Sequence, residues 1–116
     1  MNKFFKGFYH AFDGIKYAFQ TQINMRIHLV VGAIVIVAGI ILHLTRIEWA
    51  FIALSITLVL SAELFNTAIE SLTDLATKEI HPLAKVAKDC AAGAVLITAI
   101  FAIIIGCLVF IPHLIG

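Results

Sequence analysis

Three stretches of the chain are almost free of charge, and short polar segments separate them. The first runs from about Ile27 to Leu44, and Leu29 to Leu42 within it holds no polar residue. Thr45-Arg46-Ile47-Glu48 reads as a short polar connection, after which Trp49 opens a second stretch as an interfacial anchor. That stretch stays uncharged only as far as Ala62. This is about 21 Å of helix, against a hydrocarbon core of about 30 Å. A helix starting at Trp49 must therefore continue and carry Glu63 into the membrane, with a span over about 49–69 and a helix reaching about Ala76. Ala91 to Ile111 is uncharged throughout and predicts a third span. Pro82 suits the first turn of that helix, and Pro112 is expected to end it.

The segment before the spans follows a different rule. At 100° per residue, Phe4, Phe8, Phe12, Ile15 and Phe19 fall within about 80° of one another, with Lys6, Asp13, Lys16 and Gln20 opposite. Residues 3–20 thus predict an amphipathic helix lying in the membrane interface, aromatic face down. Packing of the same helix on the others is the plainer reading, and the two are compatible. Charges and aromatics alternate through the first 26 residues without the apolar run of a secretory signal.

Composition supports an all-α integral membrane protein. The 116 residues suit one domain over 1–116; 62% are hydrophobic and only 13% charged. Mean hydropathy is +1.07, and so short a chain has no core large enough to hide that much apolar side chain. A net charge of +1 gives no reason to expect nucleic acid as a partner. Cys90 and Cys107, on one helix roughly 25 Å apart, have no reach to each other and read as small apolar core residues. Lys3, Lys6, Lys16 and Arg26 precede the first span, and Lys78, Lys85 and Lys88 lie between the second and third; only Arg46 lies on the other side. The positive-inside rule then puts the N-terminus and the 77–90 segment in the cytoplasm and the C-terminus outside a multi-pass cell-membrane protein.

The chemistry concentrates in S-A-E-L-F-N-T-A-I-E-S-L-T-D over 61–74. With Glu63 at 0°, Asn66 falls at about −60°, Glu70 at about −20° and Asp74 at about +20°, so all four share one stripe. Ionisable groups at membrane depth are costly and mark function. Simple solvation of a helix leaving the membrane is a fair account of Asp74, but not of Glu63, which lies about 9 Å short of the boundary. Glu63 sits where a lipid hydroxyl would sit and suits a general base for an alcohol. Glu70 is about 10 Å further out, where a water-soluble cosubstrate would wait, and suits Mg²⁺ riding on a phosphate.

K-V-A-K-D-C over 85–90 adds a second cluster. Lys85 and Lys88 share the first turns of the third spanning helix, and Lys85 is four residues from Asp89. Lysines at a helix N-terminus attract phosphate oxygens; a positive-inside anchor with an incidental ion pair accounts for the spacing equally well. No G-x-x-x-x-G-K-[ST] loop is present. The histidines at 10, 28, 43, 81 and 113 show no metal-ligand spacing and read as interfacial, with His81 near the basic cluster.

The string E-L-F-N-T-A-I-E (63–70) with Asp74, followed by A-K-D-C-A-A-G-A-V-L-I (87–97), resembles the signature of the small prokaryotic diacylglycerol kinases. The similarity covers essentially the whole chain. The short form, with M-R-I-H at 25–28, resembles the Gram-positive branch, whose members prefer undecaprenol to diacylglycerol. The resemblance implies a homotrimer of three-span protomers, each with an N-terminal surface helix, and active sites shared between neighbours. It implies ATP as cosubstrate and Mg²⁺ as cofactor. By the same resemblance, Glu63 is the general base, Asn66 a polar neighbour, Glu70 a metal-binding carboxylate, Lys88 the lysine on the γ-phosphate and Asp89 the acid beside it. Lys85 and His10 complete the nucleotide-binding set. Where the family usually has a second metal-binding glutamate, this chain has Gln22, whose amide oxygen brings no charge. The resulting expectation is a lipid kinase acting on undecaprenol, with diacylglycerol as the alternative lipid. A small transporter or channel subunit needs polar residues lining the spans, and spans one and three offer almost none. A purely structural peptide gives no reason for the stripe.

Overall fold

The structure, a computed structural model, describes residues 2–116 as four helices: α1 (Lys3–Thr21), α2 (Ile23–Leu42), α3 (Arg46–Ala76) and α4 (Pro82–Ile115). The last three are each long and apolar enough to cross a membrane. Most large apolar side chains of α2 and α4 point outward, including Ile34, Ile40, Ile97 and Ile103. Such an exterior is untenable in water and marks a multi-pass membrane protein.

Asn2 caps α1, its side chain accepting from the Phe4 N–H at 2.7 Å. The packing expected of α1 holds, with Ala18 buried where the helix meets α2 and α3, while Phe4, Phe8, Phe12 and Phe19 stay exposed on the aromatic stripe. A single extended residue, Gln22, separates α1 from α2. The Arg26 guanidinium folds back over this break and donates to the Gln20 carbonyl at 3.4 Å.

The turn from α2 to α3 is built from two caps. His43 adopts the left-handed conformation (φ 54°, ψ 60°). Its N–H and that of Leu44 then reach back to the carbonyls of Ile40 and Gly39, closing α2 as a Schellman motif. Thr45 starts α3 with a capping box: its hydroxyl accepts from the Glu48 N–H at 3.2 Å, and the Glu48 carboxylate accepts from the Thr45 N–H at 2.9 Å. Arg46 to Glu48, expected as connection, are therefore the first turn of α3. Trp49 lies across Gly39, where the lack of a side chain admits the indole; a Cβ there would stand 2.7 Å from Trp49 Cη2 and 2.9 Å from Leu44 Cδ1.

Helix α3 runs without a break past Glu63 to Ala76, as the shortness of the uncharged stretch requires. The 77–81 connection returns the chain, and α4 packs chiefly on α3. The core of Leu44, Ile52, Ile105 and Val109, flanked by Trp49 and Phe110, lies toward the Trp49 end of α3, away from Glu63. Pro82 occupies the first turn of α4. Pro112 does not end the helix, contrary to expectation. Its ring removes one backbone donor near the terminus, yet the Gly116 N–H still closes on the Pro112 carbonyl at 2.9 Å. Cys90 and Cys107 are unpaired as expected, but both are exposed rather than in the core.

Candidate active site

Glu63, Asn66 and Glu70 project from one side of α3, as their spacing dictates. Glu63 is 1% exposed, one of the two largest fully buried side chains. Asn66 is also buried, and Glu70 is half-buried one turn further along. The Asn66 amide donates to Glu70 Oε1 at 3.3 Å, which ties the deeper polar level to the shallower one. Among the described residues, two buried oxygens on this stripe have no hydrogen-bond partner, Glu63 Oε2 and Asn66 Oδ1. Buried polar atoms without partners are rare and costly, so this pair marks where a ligand's polar atoms belong.

The other oxygen of Glu63 is engaged. His28, one turn into α2, brings Nε2 to within 3.1 Å of Glu63 Oε1. Sequence reasoning placed His28 with the interfacial histidines and missed this contact. The signal was present, because His28 lies inside the first span, where an ionisable side chain points to function.

At the α3–α4 corner the structure supplies the basic cluster with partners. Lys88 Nζ donates to Asp74 Oδ1 at 2.6 Å, and Lys85 Nζ donates to Asp89 Oδ2 at 2.6 Å. Asp74, which simple solvation would have explained, is thus a partner of Lys88 across the turn. The hydrogen bond to Asp74 holds the Lys88 ammonium above its usual range, and that to Asp89 does the same for Lys85. Both pairs are solvent-exposed and add little to stability. They line a cleft of about 550 Å³ that also takes in Lys78 and His81. His81 caps α4, its Nδ1 accepting from the Leu83 N–H at 3.1 Å.

Two apolar recesses flank the buried stripe. One, of about 80 Å³, lies between α2, α3 and α4 and is lined by His28, Gly32, Ile56 and Gly106. The other, of about 410 Å³, is a groove between α1 and α3 bordered by Gly14, Tyr17, Leu64 and Thr67. The cluster is incomplete in one respect. Among the described residues, no hydrogen bond joins Gln22 or His10 to it, and no group of three His, Cys, Asp or Glu side chains is assembled to hold a metal ion.

The family model described as prokaryotic diacylglycerol kinase matches residues 9–110. An undecaprenol kinase of Bacillus subtilis is 46% identical over 114 residues, 98% of this chain and 93% of that one. A diacylglycerol kinase of Synechocystis is 50% identical over 110 residues, which make up 94% of this chain and 63% of its own. The diacylglycerol kinase of Escherichia coli K12 is 30% identical over 90% of this chain and 85% of its own. With a match across nearly its full length and relatives 46% and 50% identical to it, this chain belongs to the prokaryotic diacylglycerol kinase family of ATP-dependent lipid kinases.

Proposed function

We propose that the protein transfers the γ-phosphate of Mg-ATP to the hydroxyl of undecaprenol, giving undecaprenyl phosphate. The observation that carries the reading is Glu63, buried at lipid depth with one oxygen held and the other unpartnered. The lipid alcohol comes to Glu63 Oε2, which takes its proton. The alcohol oxygen bonds to the γ-phosphorus as the bond to the β–γ bridging oxygen breaks, and ADP leaves with that electron pair. Asn66 holds Glu70 in place, and Lys88 exchanges Asp74 for the γ-phosphate, with Asp89 and Lys85 beside it. His10 approaches the nucleotide from α1. Catalysis rests on positioning and charge neutralisation, the usual basis of phosphoryl transfer.

The donors along the stripe fit Mg²⁺: the Glu70 carboxylate and the unpartnered Asn66 Oδ1 are hard oxygens, and the Gln22 side chain is not spent on capping α2. Glu70 and Gln22 would hold the ion, which when bound offsets the charge of the nucleotide phosphates. The N-terminus and the 77–90 segment face the cytoplasm, so ATP arrives where the lysines are. A homotrimer completes the site. In support, the lysine-lined cleft does not include Glu63 or Glu70, and the outer faces of α2 and α4 are uncovered within one protomer.

Undecaprenol is favoured over diacylglycerol because the Bacillus subtilis enzyme matches this chain nearly end to end. The identity to the Synechocystis enzyme supports diacylglycerol as the second reading. Purified protein given labelled ATP and equal amounts of both lipids should make chiefly undecaprenyl phosphate; predominant phosphatidic acid would reverse the lipid assignment. Glu63→Gln should abolish turnover in a protein that still folds, and wild-type turnover in that variant would remove the base assignment.

A further inference from the structure

We propose that His28 is the positioning residue for Glu63, holding one carboxylate oxygen from the first span so that the other is aimed at the lipid hydroxyl. The inference rests on the reading of Glu63 as the group that meets that hydroxyl. The two residues are 35 positions apart on different helices, and Nε2 and Oε1 lie 3.1 Å apart. An ionised carboxylate only accepts, so the hydrogen between them belongs to the imidazole and Nε2–H is the donor. A glutamate side chain has three rotatable bonds. At 1% exposure, with only one of its oxygens bonded, the Glu63 carboxylate is oriented by that single bond. On its far side, His28 closes a small recess whose other polar side chain, Ser55, already donates its hydroxyl to the Phe51 carbonyl at 2.9 Å, so the recess offers Glu63 no free substitute donor.

The contact divides the two oxygens between two tasks. Oε1 is fixed to α2, and Oε2 is left to accept a proton. Loss of the Nε2–H donor frees the carboxylate to turn by an ångström or more, and errors of that size cost up to about 100-fold in rate.

Steady-state kinetics on the full-length protein in mixed micelles test this. His28→Leu should lower kcat about 10- to 100-fold and leave KM for Mg-ATP unchanged, because the nucleotide cleft is lined by other residues. His28→Gln, whose amide nitrogen reaches nearly where Nε2 stood, should recover most of the loss. His28→Asn, one methylene shorter, should not. That ordering separates a donor at a defined place from a bulky group that merely joins two helices. If His28→Leu does not assemble, the Gln and Asn variants carry the test alone. Wild-type kcat in His28→Leu, or equal rates for His28→Gln and His28→Asn, would overturn the proposal. Loss of activity in Glu63→Gln alongside a normal His28→Leu sinks this inference alone, whereas a fully active Glu63→Gln sinks the reading beneath it.

Discussion

Replacing Gly39 by alanine adds one methyl group where α2 and α3 turn about each other, and the structure sets the size of the effect. The new Cβ would stand 2.7 Å from Trp49 Cη2, 3.0 Å from Trp49 Cζ2 and 2.9 Å from Leu44 Cδ1. Carbon atoms settle at about 3.5–4.0 Å, so about an ångström of space must be found. Neither neighbour yields easily. The indole is a rigid plate lodged against the core, and Leu44 is buried with its N–H bonded to the Gly39 carbonyl at 3.3 Å. Overpacking of this kind costs about 1–3 kcal/mol, and the better helix propensity of alanine returns about 1 kcal/mol. A net destabilisation of up to about 2 kcal/mol follows. Denaturant titration of detergent-solubilised protein measures it, and Trp49, the only tryptophan, reports the displaced ring through its emission. Turnover per folded molecule should not change, since Glu63 lies about 21 Å from Trp49 along the same helix. An unaltered midpoint together with unaltered Trp49 emission would refute this account of the turn.

Other outcomes are equally open to measurement. On the proposed metal site, Gln22→Glu adds a carboxylate near the α1–α2 break and should lower the magnesium concentration needed for half-maximal activity; an unchanged magnesium titration would remove Gln22 from that site. Thr45→Ala removes one half of the capping box and should cost about 1 kcal/mol in a thermal or denaturant melt, with no change in kcat. The Glu48 carboxyl is held below its usual value of 4.5, first by the Thr45 N–H and then by His113. Its contribution to stability is therefore present above that pH and lost as the pH falls below it. Melting temperature should drop on acidification through this window, and Glu48→Gln should flatten the drop.

Much of the architecture was legible because lipid is an unforgiving solvent. The deficit of uncharged residues after Trp49 already demanded that α3 continue through Glu63, and it does, to Ala76. The stripe of Glu63, Asn66 and Glu70 followed from helical geometry alone. Contacts between helices were not legible in the same way, because spacing along one helix carries no information about a second. His28 and Glu63, like Lys88 and Asp74, meet only because the helices fold back on each other. The Thr45 cap was a different kind of miss: T-x-x-E before an apolar run is itself the signal for a helix start. Pro112 shows that a proline near a helix terminus removes one donor without forcing the end.

The unbroken course of α3 has a mechanical consequence. Its 31 residues make a rod of about 46 Å, half as long again as the hydrocarbon layer is thick. Glu63 and Glu70 are both fixed to this rod and rise or sink together. The alcohol of the lipid, by contrast, floats at a height set by the surrounding bilayer. Membrane thickness thereby becomes a variable of the reaction: in vesicles of graded acyl length, turnover should pass through an optimum where rod and leaflet are in register.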